Sequence, residues 1–247
     1  MKDIKKILIV AILSALSGVF AVAAAYGLGI AQKAAPSIIE DTASNVIIDD
    51  FSGALGTDGL PQGWRSYRLP RKKALTGYSV QRDGDNWFLK ASSSEAASAI
   101  YKELHIDIVH TPILRWRWKI DHTLKKGDET RRDGDDYAGR IYVTFEYQPE
   151  KTTFYDKIKR AVAEKVFGVT LPGKTVNYIW ANKLVKDSAV FNPYTDNIIM
   201  VAVESGDRMS GQWISEERDV LADYRRFFHD EPPKATGIVI MDYDGYG

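Results

Sequence analysis

The chain has 247 residues, 45% of them hydrophobic, enough for one sizeable domain. Its 33 Lys and Arg balance 33 Asp and Glu, so no global charge argues for nucleic acid. With no cysteine, disulfides, thiol catalysis, thiolate metal sites and a lipidated cysteine anchor are excluded, and His105, His110, His122 and His229 are too scattered for a histidine zinc site.

Lys2, Lys5 and Lys6 precede an uncharged run of 25 residues, Ile7 to Ala31. A basic start before an apolar run is an export signal, and Ala23 and Ala25 offer a small-residue cleavage site before Tyr26. The run also exceeds the roughly 20 residues that cross a bilayer, so an uncleaved anchor helix is the alternative. In both cases the lysines stay inside. The expected location is the periplasm, free or anchored to the inner membrane. Residues 1–31 are read as signal or anchor, 32–45 as linker and 46–247 as one domain.

That domain reads as strands. VIIDDF (46–51) precedes a turn-rich stretch, and NWFLKASS (86–93) follows the hairpin-like turn RDGD. ILRWRWKID (113–121) alternates strictly, with Leu114, Trp116, Trp118 and Ile120 on one face and Arg115, Arg117, Lys119 and Asp121 on the other. RIYVTFEYQ (140–148) opposes Ile141, Val143 and Phe145 to Arg140, Tyr142, Thr144 and Glu146. TVNYIWAN, NIIMVAVESG and GIVIMDYD complete the set. Two amphipathic helices are expected. Phe154 to Gly168 is one, its wet face carrying Lys157, Lys159, Arg160 and Lys165. Ser215 to Phe228 is the other, with Ser215 as N-cap and an apolar stripe of Val220, Leu221, Tyr224, Phe227 and Phe228. Many short strands with few helices predict a mainly β, antiparallel β-sandwich.

Between the first helix and the strand TVNYIWAN lies GVTLPGKT (168–175), which fits the phosphate-loop pattern at every fixed position. A phosphate loop needs a helix after the glycines, so that its amide end faces the phosphate. Here a helix is expected to end at Gly168 and a strand to open at Lys174-Thr175. The stretch is read as a helix-to-strand turn, and no nucleotide is expected.

LRWRWKID, GDDYAGRIYVTF, TVNYIWAN, NPYT, VAVESG, GQWISEERDVLADYRRFF and EPPKATGIVIM occur in this order. Together they resemble the uncharacterised family catalogued as domain of unknown function 3047, found in exported bacterial proteins. The resemblance covers Val46 onward. It implies a jelly-roll type of sandwich and no agreed activity. Family members usually continue past GIVIM with a T-D-x-D-N-T-like loop and a closing strand, whereas this chain reads MDYDGYG, keeping Asp242 and Asp244 without the Asn-Thr.

RRDGDDYAGR (131–140) gathers Asp133, Asp135, Asp136 and Arg140. An EF-hand loop from Asp133 would need Glu where Thr144 stands. The stretch is read as a turn in which Asp136 pairs with Arg140 or Arg117, in preference to a structural calcium site. No other cofactor is expected. Arg115, Arg117, Arg140, Tyr142, Glu146, Asn177 and Asn182 lie on the second faces of strands, with Tyr178 and Trp180 nearby. Polar groups beside aromatic planes suit sugar recognition. The binding set expected from sequence is Arg117, Asp136, Arg140, Tyr178, Trp180 and Asn182, with acidic glycans favoured because arginine holds a carboxylate bidentately. Trp116, Trp118 and Trp180 have core packing as their commoner role. Two other readings stand beside this one. Glu146, Glu204, Asp135 or Asp136 would carry a glycosidase or lyase, although no spacing marks a pair. An envelope protein-interaction module is the third class.

Overall fold

The structure, a computed structural model, describes residues 6–11, 46–68, 74–152 and 173–243. The expected helix 154–168 and Asp244 lie outside these residues. The protein is mainly β. Strands β1 (Lys6–Ala11), β3 (Gly77–Asp83), β4 (Asn86–Ser93), β6 (Ile113–Ile120) and β11 (Ile214–Asp219) form one sheet in the order β11-β6-β1-β4-β3. The second sheet has seven strands: β2 (Trp64–Arg68), β5 (Ala97–Ile106), β7 (Arg140–Phe145), β8 (Thr175–Ala181), β9 (Ala189–Asn192), β10 (Thr195–Ser205) and β12 (Ala235–Tyr243). Their order is β2-β5-β12-β7-β8-β10-β9.

The two sheets share one buried cluster. The alternation read in ILRWRWKI holds: Leu114, Trp116, Trp118 and Ile120 are buried and the intervening residues are not. From the other sheet, Val176, Tyr178 and Trp180 of β8 meet them. Trp116 lies 5.3 Å from Tyr178 and Trp118 lies 5.6 Å from Trp180, centroid to centroid, while Trp116 and Trp118 cross edge to face at 87°. These rings bridge the sheets. Offset and edge-on pairs place ring hydrogens against π faces, which adds to the area they bury.

Four expectations are corrected. Pairing is not antiparallel throughout, because β10 runs parallel to β8; the hairpin of β9 and β10 turns the chain back, so that the third strand has the direction of the first. Val46–Phe51 forms no strand. The Asp49 carboxylate instead accepts from Phe51 N, Trp64 Nε1 and Lys102 Nζ, a side-chain closure that competes with ladder pairing. Residues 214–219 are strand rather than helix: β11 pairs with the outer edge of β6, turning Ile214, Glu216 and Arg218 to the covered side and leaving Ser215, Glu217 and Asp219 exposed. The pairing overrides the helical propensity of the glutamates. Helix α1 is therefore only Val220–Phe228, capped by the Asp219 carboxylate on Ala222 N and closed by His229 at a positive φ of 50°. Finally, Lys6–Ala11 is strand, not helix, inserted between β4 and β6; the rest of the apolar run lies outside the described residues. No helix among the described residues is long and apolar enough to cross a membrane.

Gly173 and Lys174 lead directly into β8. A side chain at Gly173 would meet the Glu146 carbonyl oxygen at 2.4 Å, so the turn needs glycine. Lys174 ion-pairs with Asp230 at 3.2 Å and lies over the Phe228 ring, and Thr175 is buried in the strand. These contacts give the phosphate-loop look-alike a structural use.

Candidate functional site

The six residues expected to bind do not converge. Arg117 lies on the outer face of the five-stranded sheet, its guanidinium 5.1 Å from the Trp213 ring centroid. Tyr178 and Trp180 are fully buried between the sheets, so neither offers a stacking plane. Strict alternation puts them on the core side of β8, opposite Asn177. Asn182 is a clamp: its Oδ1 accepts from Leu124 N and its Nδ2 donates to the Asp136 carbonyl, while Glu129 takes its backbone N–H. Gly127 packs so closely here that a Cβ would sit 1.8 Å from Asn182 Nδ2. The carboxylate on Arg140 is that of Asp135, at 3.2 Å, with a second bond to the Asp135 carbonyl. Asp135 is thus an acid that orients Arg140.

What the strands do bring together lies on the outer face of the seven-stranded sheet. Register places Arg65, Tyr101, Val239, Tyr142 and Asn177 in one row across β2, β5, β12, β7 and β8. The next row holds Tyr67, Ala99, Met241, Arg140 and Ile179. Tyr67, Tyr101 and Tyr142 are half-buried. Arg140 is 2% exposed and held by three groups: Asp135, the Tyr142 hydroxyl 3.3 Å from Nη1, and the Tyr137 ring 4.3 Å from its Cζ. Burial works against the Arg140 charge, but Tyr142, Asp135 and Tyr137 outweigh it and raise its pKa. Burial likewise pushes the Tyr142 phenol up, so it stays a neutral donor. Asn177 is fully buried beside Tyr142, with neither amide atom in a hydrogen bond of good geometry. The rows place phenol hydroxyls beside guanidinium and amide groups on one sheet face.

Sequence reading placed Arg140, Tyr142 and Asn177 on strand faces turned from the core, and register confirms their proximity. It missed Arg65, Tyr67 and Tyr101, because neither β2 nor β5 was read as a strand. The alternation in ASAIYKELHI was the available signal.

The carboxylates considered for catalysis also separate. Glu146 is exposed, and Asp135 is committed to Arg140. Glu204 is buried against Lys186 Nζ. Near it stands Glu216, expected from sequence only in the first turn of a helix, whose carboxyl accepts from Trp118 Nε1 at 3.1 Å. Burial raises its pKa from 4.5 to about 7, opposed by Trp118 and Lys186 and helped by Glu204. The folded protein thus holds this proton more tightly than the unfolded chain. The stability it contributes is complete below about pH 4.5 and is lost as pH rises through about 7. Glu216→Gln keeps the acceptor and removes the titration, so it should melt above the parent protein at pH 8 and flatten the fall in melting temperature between pH 5 and 8. Parallel pH profiles for the two proteins would refute the assignment.

Among the described residues no group of three or more His, Cys, Asp or Glu could hold a metal. Asp133 pairs with Arg131 at the surface, and Asp242 is buried, accepting from Ser93 Oγ at 2.8 Å.

Fold and face define a mainly β protein of two sheets with a tyrosine- and arginine-bearing outer surface. The chain belongs to the family described as protein of unknown function DUF3047, whose profile matches residues 62–244. No curated protein matches the chain.

Proposed function

We propose that this is an exported, non-catalytic protein of the cell envelope, a jelly-roll-type β-sandwich that recognises carbohydrate on the outer face of its seven-stranded sheet. The observation that carries the reading is the pair of registered rows in which half-buried Tyr67, Tyr101 and Tyr142 stand beside exposed Arg65, with buried Arg140 holding the Tyr142 hydroxyl in place. Tyrosine rings stack on sugar C–H faces while the polar groups between them meet hydroxyls. The expected preference changes with the geometry. Asp135 already neutralises Arg140, and Arg65 pairs with Glu103 at 3.2 Å, so the face suits neutral sugars rather than uronates.

A glycan-array screen of the full chain, with and without calcium, tests this. Binding of neutral oligosaccharides should fall at least tenfold in Arg65→Ala/Tyr101→Ala, whose positions are at the surface. Absence of binding, or binding untouched by that double substitution, overturns the proposal. A second reading, slow glycan cleavage, rests on Glu216 beside Glu204, and cleavage abolished by Glu216→Gln would establish it instead.

A further inference from the structure

Among the described residues, β1 alone joins β4 to β6 within the five-stranded sheet. Five of its residues register with β4 and four with β6, antiparallel on both sides. Without it the five-stranded sheet separates into β3–β4 and β6–β11, about two strand spacings or roughly 10 Å apart. The inward residues at this seam, Leu89, Ala91, Trp118 and Ile120, are at most 1% exposed and belong to the heart of the core. An empty seam would bare them together with two unpaired ladders, the condition that strand addition relieves.

The residues filling the seam, KILIVA, begin the apolar run that reads as a signal or anchor. A helix in the bilayer keeps its backbone hydrogen bonds to itself, and a cleaved leader leaves altogether. The same six residues cannot serve both purposes at once.

Charge indicates what fits there better. Ile9 registers with Lys90 on one side and Lys119 on the other, and Ala11 registers with Arg117. Among the described residues no carboxylate lies within ion-pair distance of these three cations; Arg117 and Lys119 lie over the Trp213 ring. The other edge of β6 shows the alternative: there the neighbouring strand β11 supplies Glu217 to Arg115 at 2.6 Å. KILIVA supplies no carboxylate at either register.

We propose that the seam between β4 and β6 is a strand-acceptor slot. In the exported protein it takes an extended strand of a partner polypeptide, apolar at the registers of Leu8 and Val10 and acidic at the register of Ile9. The proposal rests on the export part of the reading above, and not on glycan binding.

The first test uses the purified full chain with Ile9→Glu, Ile9→Gln and Ile9→Lys. Melting temperatures should fall in that order, and Lys90→Gln/Lys119→Gln should remove the difference between Glu and Lys. In Ile9→Pro, where proline cannot donate to the ladder, a synthetic copy of residues 6–11 carrying Glu at position 9 should bind and restore melting. Its Lys counterpart should bind at least tenfold more weakly. Equal melting of Ile9→Glu and Ile9→Lys overturns the proposal, even if Ile9→Pro fails to fold. So do an Ile9→Pro chain that melts like the parent, peptides that bind alike, and a dimer in which each copy's residues 6–11 fill the other's slot. Loss of glycan binding leaves these outcomes unchanged, so the two proposals fail separately.

Discussion

Replacing Trp118 by Ala is expected to destabilise the protein by about 4 kcal/mol, within the range for removing a buried aromatic side chain. Trp118 is fully buried, meets Trp116 edge to face and Trp180 at a tilt, and donates its indole N–H to Glu216. The substitution therefore removes the ring that joins the sheets and strands a carboxyl already short of solvation. Urea denaturation followed by far-ultraviolet circular dichroism gives the number. Trp118→Phe, which keeps most of the contact area, should lose less than half as much. A loss under about 1 kcal/mol for the alanine variant would mean that this ring does not join the sheets, since good packing cannot be deleted so cheaply.

The second large effect is expected at Asp223. Its carboxylate accepts from the Tyr178 hydroxyl at 2.9 Å and from Arg218 Nη2 at 2.7 Å and Nε at 3.1 Å, tying α1 to β8 and β11. The Asp223 side chain is 7% exposed and that of Arg218 19%, so the pair is largely withdrawn from water. Breaking such a pair by removing one partner costs about 3 kcal/mol or more, chiefly because the other charge loses its compensation. Among the described residues, Arg218 would keep only the exposed Asp187 as a carboxylate partner, 3.1 Å from Nη1. Asp223→Ala should show that loss, while Asp223→Ala/Arg218→Met should recover part of it. The recovery distinguishes an undercompensated arginine from simple loss of packing. If the double variant is no more stable than the single one, the charge argument fails.

Legibility in the sequence followed burial on one side. Strands with one covered face declared themselves by alternation, so β6 was read residue by residue, and β4, β7, β8, β10 and β12 were located. Strands whose identity depends on a neighbour were not. ISEERD has the composition of a helix start, and only the free edge of β6 makes it β11. VIIDDF has the composition of a strand, but Asp49 closes it into a turn. Tyr178 and Trp180 were candidates for both the core and the ligand face, because every residue of β8 is buried and hydrophobicity alone cannot assign a side. Register decided it.

The same limit applied to the site. Arg117 and Arg140 look alike in sequence, each on an alternating strand, yet they occupy different sheets. Arg140 is fixed by Asp135, Tyr137 and Tyr142, whereas Arg117 rests on Trp213. Convergence is a property of strand order, and strand order is not written in the periodicity of any one strand. The family motifs were more informative: all of them fall within residues 62–244, the span of the family match.

The central claim, recognition of neutral carbohydrate by the outer face of the seven-stranded sheet, is tested most directly by titrating the isotopically labelled full chain with a neutral oligosaccharide and following its backbone amide shifts. Saturable changes should gather on β2, β5, β12 and β7, around Arg65, Tyr101 and Tyr142, and leave β3, β4, β6 and β11 in place. Shifts centred on Arg117 and Trp213, or none at all, would contradict it.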